Sequence, residues 1–182
     1  MKANATSLPG VLLIEPALFR DARGHFLETY SEPRYSALGL PRHFAQDCLS
    51  RSGEGVLRGI HYQWPNPQGK LVWVAEGAVL DVAIDLRRSS PHFGRWEAHE
   101  LTAEGGRQLW MPEGFAHAFL VTKAPCLFAY KCTRLYDPKG ERAIRWDDPD
   151  LAIRWPISGP ILSDKDLRAP LLRTIPSPHL PE

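Results

Sequence analysis

Val79-Leu80-Asp81-Val82-Ala83-Ile84-Asp85-Leu86 alternates without a break: Leu80, Val82, Ile84 and Leu86 fall on one side, and Val79, Asp81, Ala83 and Asp85 on the other. A period of two over that length belongs to an extended strand. The pattern reaches back to Leu71, with a turn expected at Glu76-Gly77. Further on, Trp96 to Leu101 alternates again, and Ala103-Glu104-Gly105-Gly106 turns the chain. Gln108 to Val121 then reads as strand, Pro/Gly turn and strand, with His117, Phe119 and Val121 sharing a face. Cys126 to Cys132 reads as one more strand, with Phe128 and Tyr130 on one side. Toward the N-terminus, residues 8 to 19 make an opening strand with Val11, Leu13 and Leu18 on one side. Asp21-Ala22-Arg23-Gly24 is a turn, after which alternation sends Phe26 and Glu28 to the same face. Ser31, Pro33 and Gly39 bound the main helix, and Phe44 to Ser50 forms a strand with one face lining a polar cavity. Fourteen glycines and seventeen prolines are spread along the chain rather than gathered in linkers. Many short strands with evenly spaced turns predict an all-β sandwich or barrel closed on itself, hollow enough for a pocket.

Composition narrows the function. The 182 residues suit one domain, 1–182, with a Pro-rich tail from about 168 that packs outside or frays. Apolar residues make up 43% and charged residues 24%, with 22 Lys+Arg against 21 Asp+Glu. No general basic field exists for nucleic acid or an anionic membrane, so an anionic ligand needs a local cluster. Met1 to Leu13 lacks the apolar core of a signal peptide, and no run approaches the roughly 20 apolar residues of a membrane span. Cys48, Cys126 and Cys132 form no Cys-x-x-Cys pair and leave one odd, which points to a reducing cytoplasm.

The chemistry gathers in Gly55-Val56-Leu57-Arg58-Gly59-Ile60-His61-Tyr62-Gln63 and the following Pro67-Gln68-Gly69-Lys70-Leu71-Val72. One imidazole and two fixed cations sit within strand-forming residues. Strict alternation puts Arg58 and His61 on opposite faces, so a shared site requires either a bulge near Gly59 or a ligand reached from the strand's edge. His61 is a candidate general base, since imidazole titrates near neutral pH. It needs a carboxylate on its second nitrogen, from Asp166 or alternatively Asp81 or Asp85. Tyr130 is the natural acid partner, because a phenol near Lys or Arg can donate a proton and be reprotonated by solvent. His117 reads either as a ligand-facing residue or as a core histidine bonded to a backbone carbonyl. The remaining candidates, taken singly, are surface charges or packing aromatics.

Pro112-x-Gly114-x-x-His117 resembles one motif of the cupin jelly rolls, and Gly55…His61 the first half of the other. Metal-binding cupins continue His-x-His with a downstream Glu. Here Gln63 is a poor ligand and Lys70 repels a divalent ion, so no metal is expected and the pocket suits an anion. Taken together, Asp21-x-Arg23-Gly24-x-Phe26-x-Glu28, Gln46-Asp47, Val56 to Gln63, Gln68 to Val72, Asp81 to Arg87, Pro112 to His117, Tyr130-Lys131 and Leu162-Ser163-x-Lys165-Asp166 resemble the dTDP-4-dehydrorhamnose 3,5-epimerase family, in the family's order over nearly the whole chain.

That resemblance implies an all-β cupin jelly-roll barrel with short peripheral helices, a cofactor-free homodimer, and a dTDP-4-keto-6-deoxyhexose substrate inverted at C3 and C5. By position His61 would be the base paired with Asp166, Tyr130 the acid on the opposite face of the sugar, and Lys70 the cation at the enolate oxygen. Arg23, Phe26 and Glu28 match a segment exchanged with the partner subunit. Gln46, Asp47, Arg58, His117, Glu141 and Lys165 match other ligand-contacting positions. Two departures stand out: Cys48 where the family usually has Asn, and Tyr136 alone where many relatives carry two tyrosines. The loss of the amide at Cys48 bears on a nucleotide or sugar contact, and the single tyrosine bears on which carbon is inverted. A mono-epimerase or 3,4-ketoisomerase, a non-catalytic sugar-nucleotide-binding cupin and a metal-dependent cupin enzyme are the competing readings.

Overall fold

Two long antiparallel strands carry the architecture. The computed structural model describes all residues, Met1 to Glu182. Its strands are β1 (Lys2–Ala5), β2 (Leu12–Glu15), β3 (Leu18–Asp21), β4 (Gly24–Leu27), β5 (Gln46–Ser52), β6 (Leu57–Gln63), β7 (Lys70–Asp85), β8 (Trp96–Thr102), β9 (Gln108–Met111), β10 (Phe115–Cys132) and β11 (Glu141–Ala143). Helices α1 (Glu32–Ser36) and α2 (Asp164–Leu167) are each about a turn long. β7 pairs with β10 along most of both strands; β8 and β9 flank β7, while β5 and β6 flank β10. β2 and β1 extend the sheet beyond β9, β11 extends it beyond β6, and β3–β4 stands apart as a hairpin. The result is the expected cupin jelly roll.

The turn expected at Glu76-Gly77 and the break expected between Val121 and Cys126 do not end either strand. The β7–β10 ladder continues across both, with register slips between Val121 and Phe128. Gly77 adopts φ 81°, and a Cβ there would run into the carbonyl oxygens of Lys123 and Pro125. A partner strand crosses this glycine, so the turn signal is realised as a bend that lets one strand serve two walls. The opening strand expected over residues 8 to 19 is instead split, with Pro16 between β2 and β3. Proline offers no N–H to a ladder, and Leu18 consequently belongs to the hairpin.

Alternation sorts the side chains as the periodicity requires. Val79, Ala83, Phe115, Phe119, Val121 and Phe128 join one core cluster, facing the barrel interior. Val82, Ile84, Ala116, Ala118, Ile60 and Tyr62 point the other way into a second cluster. The tail covers that second face: Leu172 and Leu180 are buried in it, the Leu172 N–H donates to Asp148 Oδ2 at 2.7 Å, and Trp64 Nε1 donates to the Pro178 carbonyl at 3.0 Å. It packs rather than frays, because the outer face of β6, β7 and β10 is too apolar to meet water.

Candidate active site

The site begins with a defect in β6. His61 pairs with His117 of β10 and Arg58 pairs with Phe119, so Gly59 and Ile60 together oppose the single residue Ala118. Of the two ways for Arg58 and His61 to share a site, a bulge near Gly59 is the one the fold uses. Gly59 adopts φ 132°, and a Cβ there would overlap Ala118, so only glycine fits. Past the bulge, Arg58 and His61 both line one interior cavity of about 480 Å³ while Ile60 and Tyr62 stay in the outer core.

His61 Nε2 lies 2.6 Å from Asp166 Oδ1. With Nε2 donating to the carboxylate, Nδ1 keeps the lone pair. Asp166 comes from α2, far along the chain. Ile161 is clamped to the start of β6 by its own N–H to the Gly55 carbonyl at 2.8 Å and its carbonyl to Leu57 N–H at 3.0 Å. Ser163 Oγ then caps α2 by accepting from the Asp166 N–H at 3.2 Å. Burial pushes Asp166 upward, but hydrogen bonds and charge from His61, with Ser163 and the Gly59 amide, hold it below the usual carboxylate range. Among the three candidate carboxylates, then, it is Asp166 that meets His61. Asp81 Oδ2 instead accepts from His117 Nε2 at 2.8 Å, and Asp85 is tied to Arg87 at 2.7 Å. His117 is therefore bonded to a carboxylate rather than to a backbone carbonyl, and it stacks on Phe128 at 5.9 Å while still lining the cavity.

The far wall comes from β5, β7 and the second half of β10. Tyr130 faces Cys48 across the β5–β10 ladder, and Cys132 pairs with both Gln46 and Lys70. The Lys70 ammonium lies 5.9 Å from the Tyr130 ring centre, and its pKa falls because burial outweighs the attraction of neighbouring acidic groups. Burial first, then Cys48 and Cys132, push the Tyr130 phenol above its ordinary value, against the pull of Arg58. Cys132 is pushed up to about 11 by burial, so it is a thiol at neutral pH. A smaller lobe of about 180 Å³ continues past His61, Lys70 and Tyr130 toward Gln46, Gln68, Tyr136 and Glu141.

A chain of polar contacts spans the mouth. Tyr136 donates its hydroxyl to Glu141 Oε2 at 2.8 Å, and Lys165 Nζ meets Glu141 Oε1 at 2.5 Å, joining the loop after β10 to α2. Gln46 Oε1 accepts from the Tyr136 N–H at 2.8 Å. Asp47, by contrast, points outward to Lys131 at 2.8 Å, and Arg58 donates to Ser52 Oγ at 3.1 Å. Gln63 is absorbed by structure, bonding the Asn66 carbonyl and the Asp137 N–H.

Arg23, Phe26 and Glu28 are not brought to this cavity. Arg23 pairs with Asp21 on the β3–β4 hairpin and Glu28 with Arg34 at 3.3 Å, while Phe26 is 69% exposed. The sequence reading missed Cys132 and Ser50 as lining residues; their spacing from Tyr130 and Cys48 on strands of period two was the available signal.

The sequence profile of the dTDP-4-dehydrorhamnose 3,5-epimerase family matches residues 5–174. The chain belongs to this family. A dTDP-4-dehydrorhamnose 3,5-epimerase from Pseudomonas aeruginosa is 50% identical over 168 residues, covering 91% of this chain and 93% of the relative. One from Methanothermobacter thermautotrophicus is 46% identical over 174 residues, covering 94% of each. The crystal structure of the Legionella pneumophila dTDP-6-deoxy-D-glucose-3,5-epimerase in complex with dTDP-4-keto-L-rhamnose superposes with a TM-score of 0.96 at 46% identity, covering 100% of this chain and 97% of that one. The 3,5-epimerase family thus accounts for the fold and for nearly the whole chain.

Proposed function

We propose that this single-domain chain converts dTDP-4-dehydro-6-deoxy-D-glucose to dTDP-4-dehydro-L-rhamnose by removing and returning the protons at C3 and C5 through an enolate, without a metal or other cofactor. The observation that carries the reading is the His61–Asp166 pair at 2.6 Å in the same cavity as Tyr130 and Lys70. A C–H beside a ketone is acidic only if the C4 oxygen can take up the charge. Lys70, which has no carboxylate partner within ion-pair distance, supplies a cation for that oxygen in a site shielded from water. His61 Nδ1 removes the proton, and Asp166 holds the ring in the required tautomer and stabilises the imidazolium. Inversion needs delivery from the other face. β10 pairs with β6 along its first half and with β5 along its second, so Tyr130 approaches from a different wall than His61. The same Lys70 ammonium disfavours a divalent ion at this place.

Glu141, Lys165, Tyr136, Gln46, Cys48, Arg58 and His117 surround the sugar nucleotide in this reading, with Asp47 at the rim. Arg23, Phe26 and Glu28 act in the partner's site: they sit on a hairpin whose Phe19 and Phe26 are 64% and 69% exposed, 6.4 Å apart. An exchanged segment in a homodimer would cover these rings. No helix is long and apolar enough to cross a membrane, and the enzyme works in the cytoplasm in this reading.

The test is proton NMR of dTDP-4-keto-6-deoxyglucose with the protein in D₂O, without added metal and beside His61→Ala. Deuterium at both C3 and C5, with the product trapped by a reductase, is the expected outcome. Exchange at one carbon would make the chain a mono-epimerase, and binding without exchange would reduce it to a binding cupin.

A further inference from the structure

Arg58 meets the cavity with its charge uncommitted. Elsewhere in the chain Arg87 is tied to Asp85 at 2.7 Å, Arg134 to Glu113 at 3.1 Å and Arg145 to Asp147 at 2.5 Å. Arg58 has no carboxylate within ion-pair distance, and its Nε donates instead to Ser52 Oγ at 3.1 Å. Ser52 ends β5, where alternation turns Gln46, Cys48, Ser50 and Ser52 to the inner face, and it is 9% exposed. Ser50 Oγ, two residues back on the same face, has no hydrogen-bond partner. β5 and β6 are not paired with each other, and residues 53–56 between them are fastened to β10. The Gly55 N–H donates to the Val121 carbonyl at 3.0 Å, and the Val121 N–H to the Val56 carbonyl at 2.9 Å. The end of one strand and the start of the next are thereby pinned to a common neighbour, and the Ser52–Arg58 contact spans the gap between them.

We infer that Ser52 is a positioning residue for Arg58: by accepting from Nε it fixes the guanidinium plane and leaves both terminal nitrogens free to grip the diphosphate of the nucleotide sugar. The inference rests on the proposed function, in which Arg58 is one of the groups around a substrate whose formal charge lies on that diphosphate. A guanidinium carries five N–H donors in a rigid fork, and its terminal pair matches two oxygens of a phosphate. A carboxylate in place of Ser52 would neutralise the charge before the ligand arrived. An apolar side chain would leave the long arginine free among many rotamers, and binding would then have to order it. A hydroxyl does neither: it takes up one donor, adds no charge and holds the fork. Ser52 touches no reacting atom in this reading, so its effect falls on binding rather than on proton transfer.

The experiment compares Ser52→Ala, Ser52→Thr, Arg58→Ala and the Ser52→Ala/Arg58→Ala double variant with the unaltered protein. Calorimetry with dTDP reads binding without turnover. Ser52→Ala should weaken dTDP about five- to tenfold, the size expected when a hydrogen bond orienting a charged group is lost. Ser52→Thr, which keeps the hydroxyl, should stay within about twofold of the unaltered protein. In the Arg58→Ala background the same loss of the serine hydroxyl should change affinity by less than about twofold, because its action passes through the guanidinium. With dTDP-4-keto-6-deoxyglucose, Ser52→Ala should raise KM about as much as it weakens dTDP, with kcat within about twofold. Unchanged dTDP affinity in Ser52→Ala would overturn the inference, as would a fall in kcat with KM unmoved. So would an equal loss of affinity in both backgrounds, the mark of a direct contact or of a loosened barrel. Absence of turnover in the unaltered protein, with the dTDP results as expected, would overturn the proposed function and leave the role of Ser52 standing. Failure of the unaltered protein to bind dTDP would overturn both.

Discussion

At the scale of residues, the site divides one task among groups of opposite tendency. In the proposed reaction His61 and Asp166 hold a proton acceptor ready, Tyr130 is kept protonated by burial, and Lys70 is a cation whose burial lowers its pKa. Replacing His61 by Ala should lower kcat about 10²–10⁴-fold with the fold retained by circular dichroism, the size expected for a positioned acid or base. Tyr130→Phe should behave differently: His61 still removes protons, so NMR in D₂O should show deuterium entering the substrate with retention and little inverted product. Lys70 adds a pH prediction. Its folded pKa is lowered, so its charge is lost as pH rises through a value below the ordinary 10.5. The alkaline limb of kcat should therefore fall below the normal lysine range, and Lys70→Arg, which keeps its charge, should move that limb upward. A limb unmoved in Lys70→Arg would remove the ammonium from its place at the C4 oxygen.

Elements matter through how they are pinned. The N-terminal segment is held to β8 by one carboxylate: Glu97 Oε2 accepts from the Ser7 N–H at 3.0 Å, Ser7 Oγ at 2.6 Å and the Leu8 N–H at 3.2 Å. Burial raises its pKa, but hydrogen bonds from His99, Ser7 and Thr6 prevail and bring it from 4.5 to about 2. A depressed carboxylate pKa contributes stability that is complete above the unfolded value and lost as pH falls toward the folded one. For Glu97 that window runs from about 4.5 down to about 2, and the contribution is on the order of 3 kcal/mol at neutral pH. Urea unfolding at pH 7 and pH 3 should show Glu97→Gln costing much more at pH 7, so that the pH dependence of stability flattens in the variant. The bulge in β6 is the second such device. It turns a strand of period two into one that presents Arg58 and His61 to the same cavity.

The whole molecule brings distant segments to one barrel. Its outer apolar face is closed by the tail, and Leu172→Ala should cost about 2–5 kcal/mol in urea unfolding, as for other buried leucines. The proposed exchange of the β3–β4 hairpin in a homodimer gives a complementation test. Arg23→Ala and His61→Ala, each impaired alone, should regain activity when unfolded and refolded together, since a mixed dimer has one site with both residues intact. Refolded mixtures no more active than the separate variants would place Arg23 outside the partner's site. Much of this protein was determined by the sequence alone: alternation and turn residues define an all-β barrel, and the register of Arg58, Gly59 and His61 already calls for either a bulge or a ligand reached from the strand's edge. Motifs in order identify the family. What only the tertiary structure decided is which partners meet. Asp166 rather than Asp81 or Asp85 reaches His61, Asp81 takes His117, Gly77 bends a strand instead of ending it, and the Pro-rich tail packs. A strand's period says which face a side chain is on. Which side chain stands opposite it depends on how long strands bend and on where remote segments dock, and those are settled by packing over the whole fold.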